Sequence, residues 1–445
     1  MLPVVFLSLA LATLAAAKGH VLVVHDNINS QNDYTILWSK LSTRGFHLHH
    51  VEAKNPSLSL TRQGEPYNHI IHMAPKSKKW GQDIKVTELL DFVVKGGNML
   101  LIASPDVSEP TRDLAAQFGA EFDYPDTFVI DHFHYDRSTK LDANDDHTRI
   151  VLEADDLDEN AKLIVSSIKA PVLYRGLGHA TTKNPLAIRV LHADETAYSF
   201  EKGSATGKVK PVDEDPVISG RDISLVTVMQ TLNNARIAVI GSLDMFSDNF
   251  LDAEIAPAEG TVNKSGNEAF ADELVQWVFQ EKAVLRVDNV RHFHTATLTQ
   301  PSFYRVKDNI SFELDVSELR HGKWIPFTVG DAQLEFVMMD PFIRTALIPR
   351  SSLVDSTRKT LGVDFVAPDR HGMFKFRVDY KRRGVSFLHI EDVVSVRPFR
   401  HDEYPRYITA AWPYYATSWS VMIGWLAFCA LWLWSKPIQQ KQHAE

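Results

Sequence analysis

The sequence predicts an α/β domain built on a doubly wound parallel sheet, then an antiparallel β-sandwich, then one membrane-spanning helix. Three observations carry this reading. Over residues 19–118 short β-branched apolar runs alternate with stretches of helical periodicity, the pattern of strands joined by crossover helices. From Ala283 the apolar period becomes two, as in half-buried strands. Residues 414–434 carry no charge, and about 20 apolar residues cross a bilayer core as a helix.

Taken in order, residues 1–17 form an apolar run rich in Leu and Ala, ending in Ala15-Ala16-Ala17 before Lys18. That reads as a secretory signal with a small-residue cleavage site. Residues 19–26 (GHVLVVHD) read as a buried strand. Within residues 30–41, Tyr34, Leu37, Trp38 and Leu41 sit at helical spacing, and Gly45 closes that helix. Residues 46–51 and 67–73 read as strands. Residues 86–94 place Val86, Leu89, Leu90 and Val93 on one helical face, and Gly96-Gly97 stops the helix before a strand at 98–103. Residues 110–118 form the next covering helix. Beyond Glu121 the pattern loosens, with acidic stretches at 142–146 and 153–159 and a long loop at 203–220. Strands return at 224–229 and 236–241, followed by a helix over 267–281 with Phe270, Leu274, Trp277 and Val278 in helical register. Residues 18–282 are therefore expected to form one α/β domain with a β-rich insertion.

Over residues 283–406 alternation is explicit. Phe312, Leu314 and Val316 interleave with Ser311, Glu313 and Asp315; Phe374, Phe376, Val378 and Tyr380 interleave with Lys375, Arg377 and Asp379; Leu334, Phe336 and Met338 repeat the pattern. Several such strands without a convincing helix predict the sandwich.

The expected span covers residues 412–434. Trp412, Tyr414 and Tyr415 mark one interface and Trp432 and Trp434 the other. At 100° per residue Ala416, Ser420, Gly424 and Ala427 share one side, opposite Trp425, Cys429 and Trp432. Small residues at this spacing allow close helix approach, so this stripe is the expected partner face in the membrane. Lys436 and Lys441 in the tail, residues 435–445, fit a cytosolic C-terminus and a lumenal body.

A net charge of −9 over 445 residues, with no basic stripe, argues against nucleic-acid binding. The single cysteine, Cys429, lies within the span, so the body has no disulfide, zinc-thiolate site or cysteine nucleophile. Domains of the flavodoxin and amidotransferase kind often carry enzymes, but no G-x-S-x-G elbow occurs. Gly176-Leu177-Gly178 lacks the third glycine of a dinucleotide loop because Thr181 stands there, and residues 203–209 miss the spacing of a phosphate loop. Asp156-Leu157-Asp158 and Asp213-Glu214-Asp215 could hold a metal-bound sugar nucleotide, but both sit in acidic, loop-like surroundings. The pairs His132/His134 and His292/His294 are spaced to share a strand face; a zinc site there would need further ligands and an ordered second shell. No catalytic residue, metal or cofactor is expected on these grounds. Asn263-Lys264-Ser265 and Asn309-Ile310-Ser311 are glycosylation sequons, making Asn263 and Asn309 candidate acceptors.

Several long motifs recur in order: HDNINSQNDYT, ARIAVIGSLDMFSD, GNEAF, WVFQEKAVLRV, DAQLEFVMMDPFIR, HGMFKFRVDY and EYPRYITAAWPYYATSWS. Through them the chain resembles the beta-subunit (48 kDa) family of the eukaryotic oligosaccharyltransferase. That resemblance implies an endoplasmic-reticulum membrane complex that moves oligosaccharide from a dolichol carrier to Asn of nascent proteins. It also implies an essential, non-catalytic, single-pass subunit whose partners include a separate, multi-spanning catalytic subunit. The W-W-D-Y-G motif of that catalytic subunit is absent from this sequence. The N-terminal part also looks like an assembly domain of intraflagellar-transport proteins. The tail departs from a strict dilysine retrieval signal, with His443 in place of the inner lysine. Two other readings compete: a lumenal sugar-handling hydrolase or transferase, and a surface receptor with an Ig-like sandwich.

Overall fold

The computed structural model describes residues 19–435 apart from 63, 82–83, 138–146, 154–155, 167, 169, 202–217, 257–262, 321, 351–357 and 405. The signal segment, the acidic run at 142–146, the glycine loop at 203–209, the triplet at 213–215 and the tail beyond Ser435 lie outside the described residues.

The N-terminal unit is a mixed sheet wrapped by helices. Its first elements are β1 (Gly19–His25), α1 (Thr35–Thr43), β2 (Phe46–Glu52), β3 (His69–Met73), α2 (Val86–Val94), β4 (Asn98–Ile102) and α3 (Glu109–Gln117). After α3 come β5 (Ala120–Phe122), β6 (Thr127–Ile130), β7 (Ile150–Leu152), β8 (Val172–Tyr174), β9 (His179–Thr181), β10 (Ala187–His192) and β11 (Tyr198–Glu201). The unit closes with β12 (Ser224–Gln230), β13 (Arg236–Ile240) and α4 (Asn267–Val278).

Parallel pairing in the order β2-β1-β3-β4-β13 reproduces the doubly wound arrangement. Period-two alternation splits each central strand between two cores. Val21, Val23, Leu100 and Ile102 face α1 and α4. Leu22, Val24, Met99 and Leu101 face α2 and α3. Burial on both faces is why these strands read as unbroken apolar runs.

Three features depart from the sequence reading. The sheet continues past β13 with β12, β9 and β5 antiparallel, and β10 pairs with β12 on a branch. The turn from β12 to β13, closed by the Thr231 N–H on the Ala235 carbonyl at 2.9 Å, is too short for a crossover, so those strands must run antiparallel. The expected helix over 30–41 is a 3₁₀ segment, Ile28–Tyr34, leading into α1. Asn27, whose side chain accepts the Asn29 N–H, caps that tighter turn. Finally, α4 stops at Val278 rather than Glu281, because Gln280 and Ala283 take positive φ (59° and 56°) as the chain turns into the next strand.

The second unit is a sandwich of two five-stranded sheets. One contains β14 (Val284–His294), β15 (Asn309–Arg320), β16 (Lys323–Pro326), β19 (Ile348–Arg350) and β20 (Lys359–Val366). The other contains β17 (Gln333–Val337), β18 (Pro341–Ala346), β21 (Gly372–Tyr380), β22 (Leu388–Arg397) and the short strand Tyr304–Arg305. The alternating residues meet between them: Phe312 stacks on Phe376 at 5.3 Å and Phe336 packs on Phe365 at 5.4 Å, while Phe336 and Phe374 stack within one sheet at 4.6 Å. The chain then reaches α5 (Trp412–Trp434), of 23 residues with none buried. At 1.5 Å per residue it is about 34 Å long, enough for a bilayer core of roughly 30 Å.

Candidate functional site

In doubly wound sheets ligands and partners meet the carboxyl ends of the strands, where the strand order reverses. Here that position is the end of β1, carrying the motif HDNINSQNDYT. Asp26 is held across the gap to the segment after β3, its carboxylate accepting the Lys76 N–H at 3.1 Å and the Ser77 hydroxyl at 2.6 Å. The next motif residues wind into the 3₁₀ segment, and Thr35 opens α1. The free N–H groups of that opening turn are capped from a distant segment. Asp248 accepts Thr35 N–H at 2.8 Å, Thr35 hydroxyl at 2.6 Å and Ile36 N–H at 3.0 Å. Asp248 closes the motif ARIAVIGSLDMFSD, so two of the most specific sequence stretches touch at this edge. Gly241 in the same motif has no room for a side chain: a Cβ would lie 1.9 Å from the Leu177 carbonyl oxygen.

A serine and two histidines line up beneath this edge without the arrangement of a nucleophile. Ser30 Oγ is 3.5 Å from His25 Nδ1 but donates to the Asn27 carbonyl at 2.7 Å. His25 Nε2 lies 2.9 Å from His50 Nδ1, so its second partner is another imidazole rather than a carboxylate. Burial, and then the neighbouring His50, pull the His25 pKa down to about 4. A neutral imidazole with so low a pKa is a poor base near neutrality.

The second constructed region is the junction between the two units. Trp277, on α4, is 0 % exposed, and its indole N–H donates to the Gly384 carbonyl at 2.8 Å in the loop between β21 and β22. Arg236 lies 4.7 Å above the Trp277 ring and donates to the carbonyls of Trp277 (2.9 Å), Lys282 (2.7 Å) and Ala283 (2.7 Å). These carbonyls form the turn that ends α4 and enters β14. The same loop is fastened by Gln230 to the Val385 carbonyl at 2.8 Å and by reciprocal bonds between Asn234 and the Phe387 backbone at 3.2 and 2.6 Å. Nearby, Lys282 and Glu273 form a buried ion pair at 2.9 Å, with Lys282 also donating to the Ile164 carbonyl. One apolar cluster runs through this junction from Trp277 and Val278 to Phe312 and Phe376.

The residues singled out from sequence fall in separate places. Ala416, Ser420, Gly424 and Ala427 all lie exposed on α5, and a Cβ added at Gly424 would meet nothing within 4 Å. Asn309 is exposed at the start of β15. Asn263 begins a two-residue strand paired with Ile255, and its side chain lies outside the described residues. Asp156 and Asp158 do not join: the first accepts the Glu153 N–H at 2.8 Å and the second pairs with Arg189 at 3.2 Å. His132 and His134 lie in a turn, not on a strand. His132 contacts His147 and Tyr198, whereas His134 meets Asp131 and Asp194. Among the described residues this last trio is the group of imidazole and carboxylate atoms close enough to hold a metal. The Asp248 cap, the Arg236 fork and the Asp131–Asp194 encounter were not foreseen, because each joins segments with no shared sequence pattern.

Comparisons with known proteins agree with this architecture. Residues 12–281 match the family model "OST48, N-terminal domain" and residues 292–436 match "OST48 middle domain". Proteins named dolichyl-diphosphooligosaccharide–protein glycosyltransferase 48 kDa subunit are similar along nearly the whole chain. The one from Danio rerio is 36% identical over 420 residues, covering 93% of this chain and 91% of its own. That from Arabidopsis thaliana is 34% identical over 423 residues, covering 94% and 93%. That from Caenorhabditis elegans is 34% identical over 441 residues, covering 98% and 96%. Both family segments and this end-to-end similarity place the chain in the family of the dolichyl-diphosphooligosaccharide–protein glycosyltransferase 48 kDa subunit.

Proposed function

We propose that the protein is a structural, non-catalytic subunit of an endoplasmic-reticulum oligosaccharyltransferase, supporting transfer of dolichol-linked oligosaccharide to Asn of nascent proteins. The active site belongs, on this reading, to a separate multi-spanning subunit. Residues 18–282 and 283–406 are the two lumenal domains, residues 1–17 a removed signal, and residues 435–445 a cytosolic tail. The observation that carries the proposal is the junction. Trp277, Arg236 and the Gly384–Phe387 loop join both units into one body, and among the described residues that body is followed by one helix, α5, long and apolar enough to cross a membrane. A joined two-unit body on a membrane anchor suits assembly with other subunits.

Two measurements test it. Mild-detergent purification of the full chain should bring down other oligosaccharyltransferase subunits, identified by mass spectrometry. The chain alone should not glycosylate an acceptor peptide supplied with lipid-linked donor; turnover abolished by Asp156→Asn with Asp158→Asn would sink the scaffold reading. In the membrane, Ala416, Ser420, Gly424 and Ala427 form the proposed contact face. Because Gly424 has open space around it, Gly424→Leu should leave this chain's own packing intact while lowering recovery of its membrane partners. Trp425→Leu, on the opposite side, should lower recovery less. Asn263 and Asn309 are the proposed glycan acceptors, each removable by Asn→Gln and read as a loss of endoglycosidase-sensitive mobility.

A further inference from the structure

The turn after β6 and the turn between β10 and β11 meet face to face, and each contributes carboxylate to one imidazole. Asp131 is 1 % exposed. One of its oxygens, Oδ1, accepts the N–H groups of Phe133 at 2.8 Å and His134 at 3.1 Å; Oδ2 accepts the Thr196 hydroxyl at 2.8 Å. Three donors from two segments therefore fix the orientation of this carboxylate. Its Oδ2 lies 3.2 Å from His134 Nδ1, and that same nitrogen is 3.0 Å from Asp194 Oδ2. All three donor atoms fall within 4.8 Å of one another.

One nitrogen facing two carboxylates is electrostatically unfinished. A neutral imidazole presenting its lone pair there would be repelled by both oxygens. A single proton on Nδ1 must be shared between two acceptors and leaves the trio with net negative charge. Asp156 stands close enough to feel the charges of Asp194 and Glu153, with the His192 imidazole also beside it. Arg221 pairs with Glu195, the residue after Asp194, at 3.4 Å. A divalent ion would neutralise the trio.

We propose that Asp131, His134 and Asp194 bind a divalent transition ion, zinc by its donor set, which clips the turn after β6 to the turn between β10 and β11. Metal bonds of about 2.0 Å in a tetrahedron set ligand-to-ligand distances of roughly 3.3 Å, close to the two Nδ1–Oδ2 separations. An imidazole in the set favours zinc over calcium or magnesium, which prefer oxygen alone. Thr196 and the two backbone N–H groups orient the buried carboxylate, as outer-shell partners do in metal sites. His134 is half exposed, which gives an ion its way in. Both conditions set from the sequence for a zinc site, further ligands and an ordered second shell, are met at His134 and not at His132.

The test uses the full chain in detergent, stripped of metal and titrated with zinc against a chromophoric chelator. Cobalt(II) is added in parallel to read the ligand field in the visible spectrum. Wild type should bind one zinc that His134→Ala and Asp194→Asn each weaken at least 10-fold, with the cobalt spectrum altered in step. His47→Ala serves as control, because His47 stacks on His20 at 5.3 Å in a separate histidine cluster on the β1–β2 edge. That variant should keep the zinc. Zinc should also raise the melting temperature of wild type but not of Asp194→Asn, whose half-exposed side chain can be changed without emptying the core. Absence of zinc binding by wild type at micromolar free ion, or binding lost in His47→Ala and retained in Asp194→Asn, would overturn the proposal.

Discussion

Replacing Trp277 with alanine gives the sharpest test of how the two units are joined. The side chain is fully buried, and emptying such a site costs about 3–5 kcal/mol. The Gly384 carbonyl also loses the indole N–H that it accepts at 2.8 Å, adding about 1 kcal/mol for an unmet buried acceptor. Arg236 keeps its carbonyl partners but loses the ring beneath it at 4.7 Å. The total is about 4–6 kcal/mol. With about 2.1 cal/mol/K of unfolding entropy per residue over a body of about 380 residues, a cooperative unit should melt about 5–7 °C lower. Trp277→Phe keeps the six-membered ring but loses the donor and part of the indole, so it should cost less than Trp277→Ala, about 2–3 kcal/mol. Calorimetry of the full chain in detergent measures the shift, and hydrogen exchange of Ser386 and Phe387 reports on the loop directly. Wild type should unfold its two units in one transition, and Trp277→Ala should separate them into two. An unchanged melting profile with unchanged exchange in the loop would refute the claim that this residue couples the units.

Two further outcomes follow from the site geometry. Burial holds His25 and His72 near pKa 4 and His69 and His179 near 3, against 6.5 when free, with His50 a further cause at His25. Between those values the unfolded chain binds protons that the folded chain does not. Stability should therefore be complete above about pH 6.5 and fall as pH drops toward 4, each histidine adding up to about 1.4 kcal/mol per pH unit; melting temperatures unchanged across that window would contradict this. Removing the distant cap with Asp248→Ala should cost about 1–2 kcal/mol, and Thr35→Ala less. The double variant should fall short of the sum because the two groups share one hydrogen bond at 2.6 Å, which a double-mutant cycle of denaturant midpoints measures.

Much of the fold was legible because its signals are local. The period-two patterns at Phe312–Val316 and Phe374–Tyr380 marked strands whose alternate side chains do meet in one core. The spacing of Phe270, Leu274 and Trp277 marked the buried face of α4, and Gly96-Gly97 marked the end of α2. What escaped depends on contacts between remote segments. Residues 224–229 read as another strand, but only the tight Thr231–Ala235 turn decides that it runs antiparallel. Arg236 looks like a polar strand opening, and its role appears only when three carbonyls of the α4–β14 turn close around it. Two histidines separated by one residue suggested a common strand face at 132 and 134. The side chain of Asp131 instead folds that stretch into a turn by accepting the N–H groups of Phe133 and His134. For the glycosylation acceptors and the membrane stripe, a motif or a helical wheel names the residues but not what meets them.

The position of β13 between β4 and β12 has a consequence for synthesis. The ribosome completes β4 at Ile102, yet the strand that covers its open edge begins only at Arg236. At about 5–20 residues per second, the roughly 130 intervening residues take about 7–26 s to emerge. Throughout that interval Met99–Ile102 presents an unpaired apolar edge of the kind that recruits the wrong strand. Two longer apolar strands, β10 and β12, arrive before β13. Asn98 discriminates among them: its side-chain oxygen accepts the Arg236 N–H at 2.9 Å and the Gln280 amide at 3.1 Å, contacts that bring the proper neighbour into register. A newly made chain is thus most vulnerable to mispairing midway through its first domain, and a single asparagine helps mark the slot where the late strand must enter.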